Sequence, residues 1–150
     1  MPEADTDHRP DHSQGPYSQA YLSDILRSVK TIAIVGASAN TTKPSHDVLC
    51  VLQDAGYEII PVNPNPSLTE IRGIPVVDSL EEIDRPVDMV DVFRPKAELY
   101  GIAEQAIALG ARVLWGQIGV YDDSAARLAE DAGLKVVMDR CPKIELSRPM

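Results

Sequence analysis

Short apolar segments rich in β-branched residues alternate with helical patterns, and this alternation constrains the fold more than any other feature of the chain. The apolar segments are residues 31–35, 57–62, 74–77, 87–93, 112–115 and 135–138. Strands that alternate with helices form a parallel sheet with right-handed crossovers and helices on both faces. The sequence therefore predicts an α/β, doubly wound, mostly parallel sheet of five or six strands.

The helices between these segments are predicted from apolar spacing and from the glycines that follow them. A leading helix is indicated by the apolar residues between Tyr21 and Val29. Three later helices are followed by Gly56, Gly110 and Gly133, because glycine readily adopts the left-handed conformation that ends many helices. The predicted helical segments after the first are residues 48–55, 79–83, 96–109 and 122–132.

The first 16 residues differ in composition from the rest of the chain. They contain four acidic residues, three prolines and two histidines, with almost no apolar side chains. Such a segment buries too little apolar surface to offset the entropy lost on ordering. We predict a disordered acidic tail at residues 1–16 and one domain at residues 17–150. Although His8 and His12 have a nominal metal-ligand spacing, we do not expect a metal site there.

Charge and composition exclude several classes of function. With 14 basic against 23 acidic residues, the formal charge is −9, and no basic stripe offers a surface to nucleic acid. No apolar run approaches the roughly 18 residues needed to span a bilayer, and residues 1–5 lack the features of a signal peptide. We expect a cytoplasmic protein without nucleic-acid or membrane partners.

Polar or glycine-containing segments follow every predicted strand. They are residues 36–40, 63–66, 78–79, 94–95, 116–119 and 139–143. Ligands of open parallel sheets bind at the carboxyl ends of the strands, so these segments form the candidate site. The strongest signal is Gly36, because glycine permits a tight turn and close approach to a pyrophosphate at the start of the next helix.

The loop that begins at Gly36 departs from the dinucleotide-binding fingerprint. The pattern G-x-G-x-x-G requires glycine at two positions where the chain has Ser38 and Thr41. The acidic residue that holds a ribose hydroxyl of NAD is replaced by Asn63-Pro64, which would tolerate a ribose phosphate. NAD is therefore disfavoured. Coenzyme A and NADP both fit these substitutions, although the arginine that NADP usually meets near this corner is absent.

Five segments, in this order, resemble the small stand-alone bacterial CoA-binding proteins. The segments are IVGAS at 34–38, PVNP at 61–64, VDVFR at 90–94, WGQIG at 115–119 and VMDRCPK at 137–143. Those proteins are similar to the CoA-binding domain of the succinyl-CoA synthetase α-subunit. The resemblance covers about residues 17–146. It implies a Rossmann-like fold with coenzyme A as the cofactor. The chain departs from the family pattern at Gly116, where a larger residue such as Leu or Val is expected.

The resemblance also implies which residues meet the cofactor. The loop at 36–38 would cradle the phosphates, with support from residues 43–45. Residues 62–64 would lie by the adenosine, and residues 93–95 would border the pantetheine. The predicted cofactor-binding residues are Gly36, Ala37, Ser38, Asn40, Lys43, Ser45, Val62, Asn63, Pro64, Phe93, Arg94, Pro95, Gln117, Gly119 and Cys141.

The two cysteines are too few for a disulfide or zinc framework, and they differ in their predicted surroundings. Cys50 falls on the apolar face of a predicted helix. Cys141 follows the last predicted strand beside Arg140 and Lys143, and nearby cations favour a thiolate. Two interpretations of Cys141 stay open, a reactive thiol beside a thiol cofactor and a small side chain packed in the core.

No catalytic centre is evident in the sequence. His46 is the one histidine within the predicted fold, and no Ser, Cys or acid has nucleophile-motif spacing around it. We therefore predict a non-catalytic module that binds CoA or acyl-CoA as a carrier, sensor or redox partner. The alternatives are an NADP-binding oxidoreductase and a subunit of an acyl-CoA enzyme completed in trans. The sequence leaves open whether a homodimer or a partner subunit forms.

Overall fold

A computed structural model describes residues 17–148 and confirms the doubly wound α/β fold. The strands are β1 (Thr31–Val35), β2 (Glu58–Val62), β3 (Glu70–Ile71), β4 (Ile74–Pro75), β5 (Met89–Val92), β6 (Val113–Gly116) and β7 (Lys135–Val137). The helices are α1 (Gln19–Ser28), α2 (Pro44–Asp54), α3 (Leu99–Leu109), α4 (Asp123–Asp131) and α5 (Pro142–Leu146), with 3-10 turns at Leu80–Glu82 and Lys96–Glu98. The predicted tail at residues 1–16 lies outside the described residues.

The main sheet has five parallel strands in the order β2-β1-β5-β6-β7. From β1 the chain moves to β2 at one edge and then returns to β5 on the other side of β1. The direction of winding therefore reverses between β1 and β5, where open α/β sheets bind their ligands.

Helices cover both faces of the sheet because the strand side chains are apolar on both sides. Ile32 and Ile34 belong to a buried cluster with α1 and α2, which α5 also joins. Ala33, between them in the sequence, belongs to a second cluster with α3 and α4. Such two-sided burial explains why the strands are continuous apolar runs without alternation.

The strand predicted at residues 74–77 does not join the main sheet as a regular strand. Ile74 and Pro75 pair in antiparallel fashion with β3, and Val77 makes an isolated parallel bridge to Val62. Arg72 and Gly73 connect β3 to β4 with φ of +50° and +79°. Positive φ at both central residues is typical of a two-residue hairpin turn, which reverses the chain before it can extend the sheet.

Several predicted boundaries also shift. The helix predicted at 48–55 begins earlier, at Pro44, because proline has a fixed φ suited to the first helical position. The segment predicted at 96–109 divides into a 3-10 turn and α3. The last predicted strand, at 135–138, ends at Val137, and the short helix α5 follows it unpredicted.

Both outer strands of the main sheet are covered. The Tyr21 hydroxyl donates to the Val136 carbonyl at 2.8 Å and accepts from its N–H at 3.1 Å, so it caps the free edge of β7. At the other edge, Val77 donates to Pro61 and accepts from Asn63. At these positions, the free edges of the sheet are hydrogen-bonded to other parts of the chain. Within residues 17–148, no helix combines the length and apolar character needed to cross a membrane.

Candidate functional site

The loop after β1 is held tightly against the end of β5. Gly36 has φ of +89°, and a Cβ atom built on it would lie 2.8 Å from the Phe93 carbonyl oxygen. The Gly36 N–H donates to the Val62 carbonyl at 2.9 Å, which ties the same loop to β2. Both the left-handed conformation and the lack of space require glycine here.

Hydrogen bonds within the loop fix its course toward α2. The Asn40 N–H donates to the Ser38 hydroxyl at 3.0 Å, and the Asn40 side-chain oxygen accepts from the N–H of Thr42 at 3.0 Å. The Nδ1 atom of His46 lies 3.0 Å from the Ser38 carbonyl oxygen, so the tautomer with a proton on Nδ1 donates to it. His46 thus holds the backbone of the loop.

Asn63 links the loop after β2 to the loop after β1. Its side-chain nitrogen donates to the Ala37 carbonyl at 2.8 Å, and its side-chain oxygen accepts from the Asn65 N–H at 2.9 Å. Both ends of the amide therefore bond within the protein, and the asparagine holds the two loops together.

A small cleft of about 340 Å³ lies over the loop after β1 and the start of α2. Its lining residues are Gly36, Ala37, Ser38, Lys43, Pro44, Ser45, Asn63, Phe93 and Arg94. Unpaired N–H groups and the aligned peptide dipoles make a helix N-terminus favourable for anions. With Lys43 at the N-cap of α2, this cleft is suited to phosphate.

A large cleft of about 740 Å³ lies on the other side of Gly36, between the ends of β1 and β2 and the helix α3. Its apolar wall includes Val35, Val62, Pro64 and Ile102. The large and small clefts share Gly36 and Arg94, so they meet at these two residues. An elongated ligand that crosses the loop can place one end in each cleft.

The rim of the large cleft is acidic. The carboxylates are those of Asp78, Glu81, Glu98 and Glu104, and Arg94 is the sole cation among the described lining residues. Arg94 donates through Nε and Nη2 to the two carboxylate oxygens of Glu98, at 3.0 and 2.8 Å. This hydrogen bonding lowers the pKa of Glu98.

A buried polar pair lies beneath the carboxyl edge of the sheet. Asp91 of β5 is fully buried, and its burial raises the pKa of the carboxyl well above its usual value. With its amide nitrogen turned toward Asp91, Gln117 donates to both carboxylate oxygens at 2.9 and 3.0 Å. Gln117 is thus directed into the protein and anchors the loop after β6.

The loops after β6 and β7 support each other. Asp139 has φ of +61°, and its carboxylate accepts from the Gly119 N–H at 2.7 Å. A Cβ on Gly116 would lie 2.5 Å from the Val120 carbonyl oxygen. The larger residue expected at position 116 from the family pattern would therefore require a different course for residues 117–120.

The two clefts bring together most of the residues predicted from the sequence. The predicted residues that line neither cleft are Asn40, Pro95, Gln117, Gly119 and Cys141. Asn40 shapes the loop from within, and Cys141 is buried, 7% exposed, at the N-cap of α5. These five residues therefore do not form the surface of either cleft.

The sequence did not lead us to predict that one face of α3 lines the large cleft. Gly101, Glu104, Gln105 and Ala108 of α3 line that cleft, together with Ala97 and Glu98 of the preceding 3-10 turn. Small residues at positions 97, 101 and 108 recur at helical spacing, which indicates a face that other atoms approach closely. That recurrence is the sequence signal that could have found it.

Similarity to known proteins identifies the family of this chain. A family model described as CoA binding domain matches residues 30–147. The uncharacterized protein YneT of Bacillus subtilis is 43% identical over 127 residues, which cover 85% of this chain and 93% of YneT. The chain belongs to the CoA-binding domain family, which confirms the resemblance drawn from its motifs.

Solved structures of similar proteins share the fold. A structure from Thermus thermophilus is 34% identical, with a TM-score of 0.81, and the match covers 88% of this chain and 98% of that one. A hypothetical protein from Pyrococcus horikoshii OT3 is 32% identical, with a TM-score of 0.82, over 93% of this chain and 94% of that one.

Proposed function

We propose that this protein binds coenzyme A or an acyl-CoA along the carboxyl edge of its sheet, with the pyrophosphate over the loop at Gly36. The observation that carries the proposal is the fit of Gly36 against Phe93, which leaves no room for a side chain beside the N-terminus of α2. This fit fixes the course of the loop, and Gly36 itself lines both clefts, where a phosphate can approach its backbone.

Several weak attractions must combine to hold such a ligand. A helix N-terminus contributes about 0.3–1 kcal/mol toward a nearby anion, whereas micromolar affinity requires about −8 kcal/mol. Lys43 and Arg94 add charge at either side of the loop, and the wall at Val62 and Pro64 adds apolar contact. The proposal therefore places phosphates at the junction of the clefts and the adenosine beside Val62 and Pro64.

A carrier or sensor role is favoured over catalysis or redox chemistry. His46, the one histidine within residues 17–148, is engaged with the Ser38 carbonyl. Cys141 lines neither cleft and is largely buried, which argues against a thiol poised to meet the cofactor. In residues 17–148, no group of three or more His, Cys, Asp or Glu side chains could hold a metal ion.

A ligand that binds only the folded state raises the melting temperature by mass action, which gives the test. We expect CoA and acetyl-CoA to raise it more than equimolar NAD or NADP, and calorimetry should give a saturable 1:1 isotherm with CoA. The matched control ligand is dephospho-CoA, which lacks the 3′-phosphate. Stabilisation by NADP alone would favour the oxidoreductase alternative, and no shift with CoA would overturn the proposal.

A further inference from the structure

The guanidinium at the junction of the two clefts is already occupied by a carboxylate of the same chain. Arg94 lies two residues after the end of β5, and Glu98 lies at the end of the 3-10 turn that precedes α3. Arg94 donates to both oxygens of Glu98, at 3.0 and 2.8 Å. Its Cδ atom would be 3.1 Å from a Cβ on Gly36, so the stem of the side chain lies against the loop.

The pair is placed where a ligand can reach it. Arg94 lines both clefts and Glu98 lines the large one. The side chains of Arg94 and Glu98 are 45% and 46% exposed, so solvent and ligand have access to both. A carboxylate and a phosphate offer the same pair of oxygen acceptors to the planar guanidinium fork. Glu98 and a ligand phosphate would therefore compete for the same donors.

The surroundings strengthen the competition. Asp78, Glu81 and Glu104 also line the large cleft, where Arg94 is the sole cation among the described lining residues. An anion at the junction gains little electrostatic attraction from Arg94 while Glu98 neutralises the charge of the guanidinium. Exposed ion pairs are weak, however, so a multiply charged ligand with further contacts on the loop can displace the glutamate.

We infer that Glu98 is an intramolecular competitor that holds Arg94 in the unliganded protein and is displaced by a phosphate of the ligand. Glu98 thereby sets the affinity for phosphate-bearing ligands, an inference that rests on the proposed function of this site. On binding, the Arg94–Glu98 hydrogen bonds break and hydrogen bonds from Arg94 to phosphate oxygens form. Glu98 then faces solvent at the rim of the cleft.

Removal of the competing charge tests the inference. We expect Glu98→Gln to bind CoA about two- to fivefold more tightly than the wild type, the range that corresponds to loss of an exposed ion pair. Glu104→Gln is the matched control, because it removes the same charge from the same cleft without removing a hydrogen-bond partner of Arg94. Titration calorimetry at low ionic strength measures all three proteins, with circular dichroism to verify folding.

A double substitution separates direct competition from general repulsion. In an Arg94→Gln background, Glu98→Gln should give no more gain than Glu104→Gln, because no guanidinium remains to be released. The Asp123–Arg127 ion pair on α4 is also of i,i+4 spacing, and Asp123→Asn serves as a control for charge removal outside the two clefts. Inorganic pyrophosphate, titrated in parallel, tests whether the phosphates alone account for the gain.

The outcomes distinguish this inference from the proposed function. If the wild type binds CoA but Glu98→Gln gains no more than Glu104→Gln, the competition is overturned and the proposed function stands. Weaker binding by Glu98→Gln would show that the glutamate positions Arg94 for the ligand, which also overturns the inference. If the wild type binds neither CoA nor pyrophosphate, both the inference and the proposed function fail.

Discussion

Substitution of Gly36 by alanine perturbs the loop after β1 in two separable ways. The backbone at Gly36 has φ of +89°, a conformation that residues with a side chain rarely adopt. The added methyl group would also lie 2.8 Å from the Phe93 carbonyl oxygen and 3.2 Å from its carbonyl carbon. Backbone atoms cannot rotate away as a flexible side chain can, so the loop or the end of β5 must move.

The expected loss of stability follows from these two effects. A left-handed conformation with a side chain costs about 1–2 kcal/mol, and the forced insertion of a methyl group into a packed site typically costs about 1–3 kcal/mol more. We therefore expect Gly36→Ala to lower the free energy of unfolding by about 2–5 kcal/mol. Movement of the loop should also weaken CoA binding at least tenfold, or by about 1.4 kcal/mol.

Gly110, at the end of α3, offers the matched control. Its φ is +87°, and nothing lies within 4 Å of a Cβ built on it. Gly110→Ala thus carries the same backbone strain without the close contact, and we expect a loss of about 1–2 kcal/mol with no change in CoA affinity. Urea unfolding followed by circular dichroism measures the stabilities, provided that each variant unfolds in two states.

Equal losses of stability in Gly36→Ala and Gly110→Ala would refute the steric part of this reasoning. Gly36 would then be needed for its backbone conformation only. Unchanged CoA affinity in a folded Gly36→Ala protein would show that the phosphates bind away from this loop.

Two further predictions concern the core and the sheet edge. Burial raises the Asp91 pKa, so this carboxyl contributes most stability below its unfolded pKa and progressively less as the pH rises toward its folded pKa. Asp91→Asn, which stays neutral, should be at least as stable as the wild type at pH 7, and its free energy of unfolding should fall less than that of the wild type between pH 4 and 7. A clearly less stable variant in urea unfolding at pH 7 would contradict this. Tyr21→Phe removes both hydrogen bonds to Val136 and should destabilise by about 1–3 kcal/mol in the same assay, whereas an unchanged midpoint would show that water replaces the hydroxyl.

The parallel sheet could be predicted because its strands are buried on both faces. Residues such as Ile32, Ala33 and Ile34 have no exposed side, so each strand is a continuous apolar run that the sequence displays directly. The segment at 74–77 has similar composition, but Arg72-Gly73 turns the chain back on itself before it. Apolar composition alone does not separate a sheet strand from a hairpin strand, and the turn residues decide between them.

The contacts of the polar residues could not be predicted in the same way. Asn63 and Gln117 were both predicted to meet the ligand. The structure directs the amide of Gln117 to Asp91, whereas Asn63 donates to Ala37 and also lines the small cleft. A polar side chain after a strand can bond to the ligand or to the backbone that surrounds the ligand. Sequence places the residue at the correct edge, whereas the partner depends on the packing of loops that are distant in sequence.

The acidic rim of the large cleft could not be predicted from the sequence for a related reason. Glu98 and Glu104 precede or lie on a helix and are indistinguishable in sequence from the charged residues of a solvated helix face. Their direction toward the large cleft is set by the packing of α3 against the sheet, which buries Leu99, Ile102 and Ala106. The side of the helix opposite an apolar stripe normally faces water, and here part of it borders the cleft.

The proposed binding of an anionic cofactor by an acidic chain depends on the distance over which each charge acts. A net charge of −9 repels a ligand with about four negative charges at long range, but salt screens that repulsion over roughly 8 Å at physiological ionic strength. In the proposed complex, contact attraction from the N-terminus of α2, from Lys43 and from Arg94 acts at short range and is screened far less. We therefore expect binding to depend on the few donors at the junction of the clefts and on whether Glu98 leaves Arg94 free.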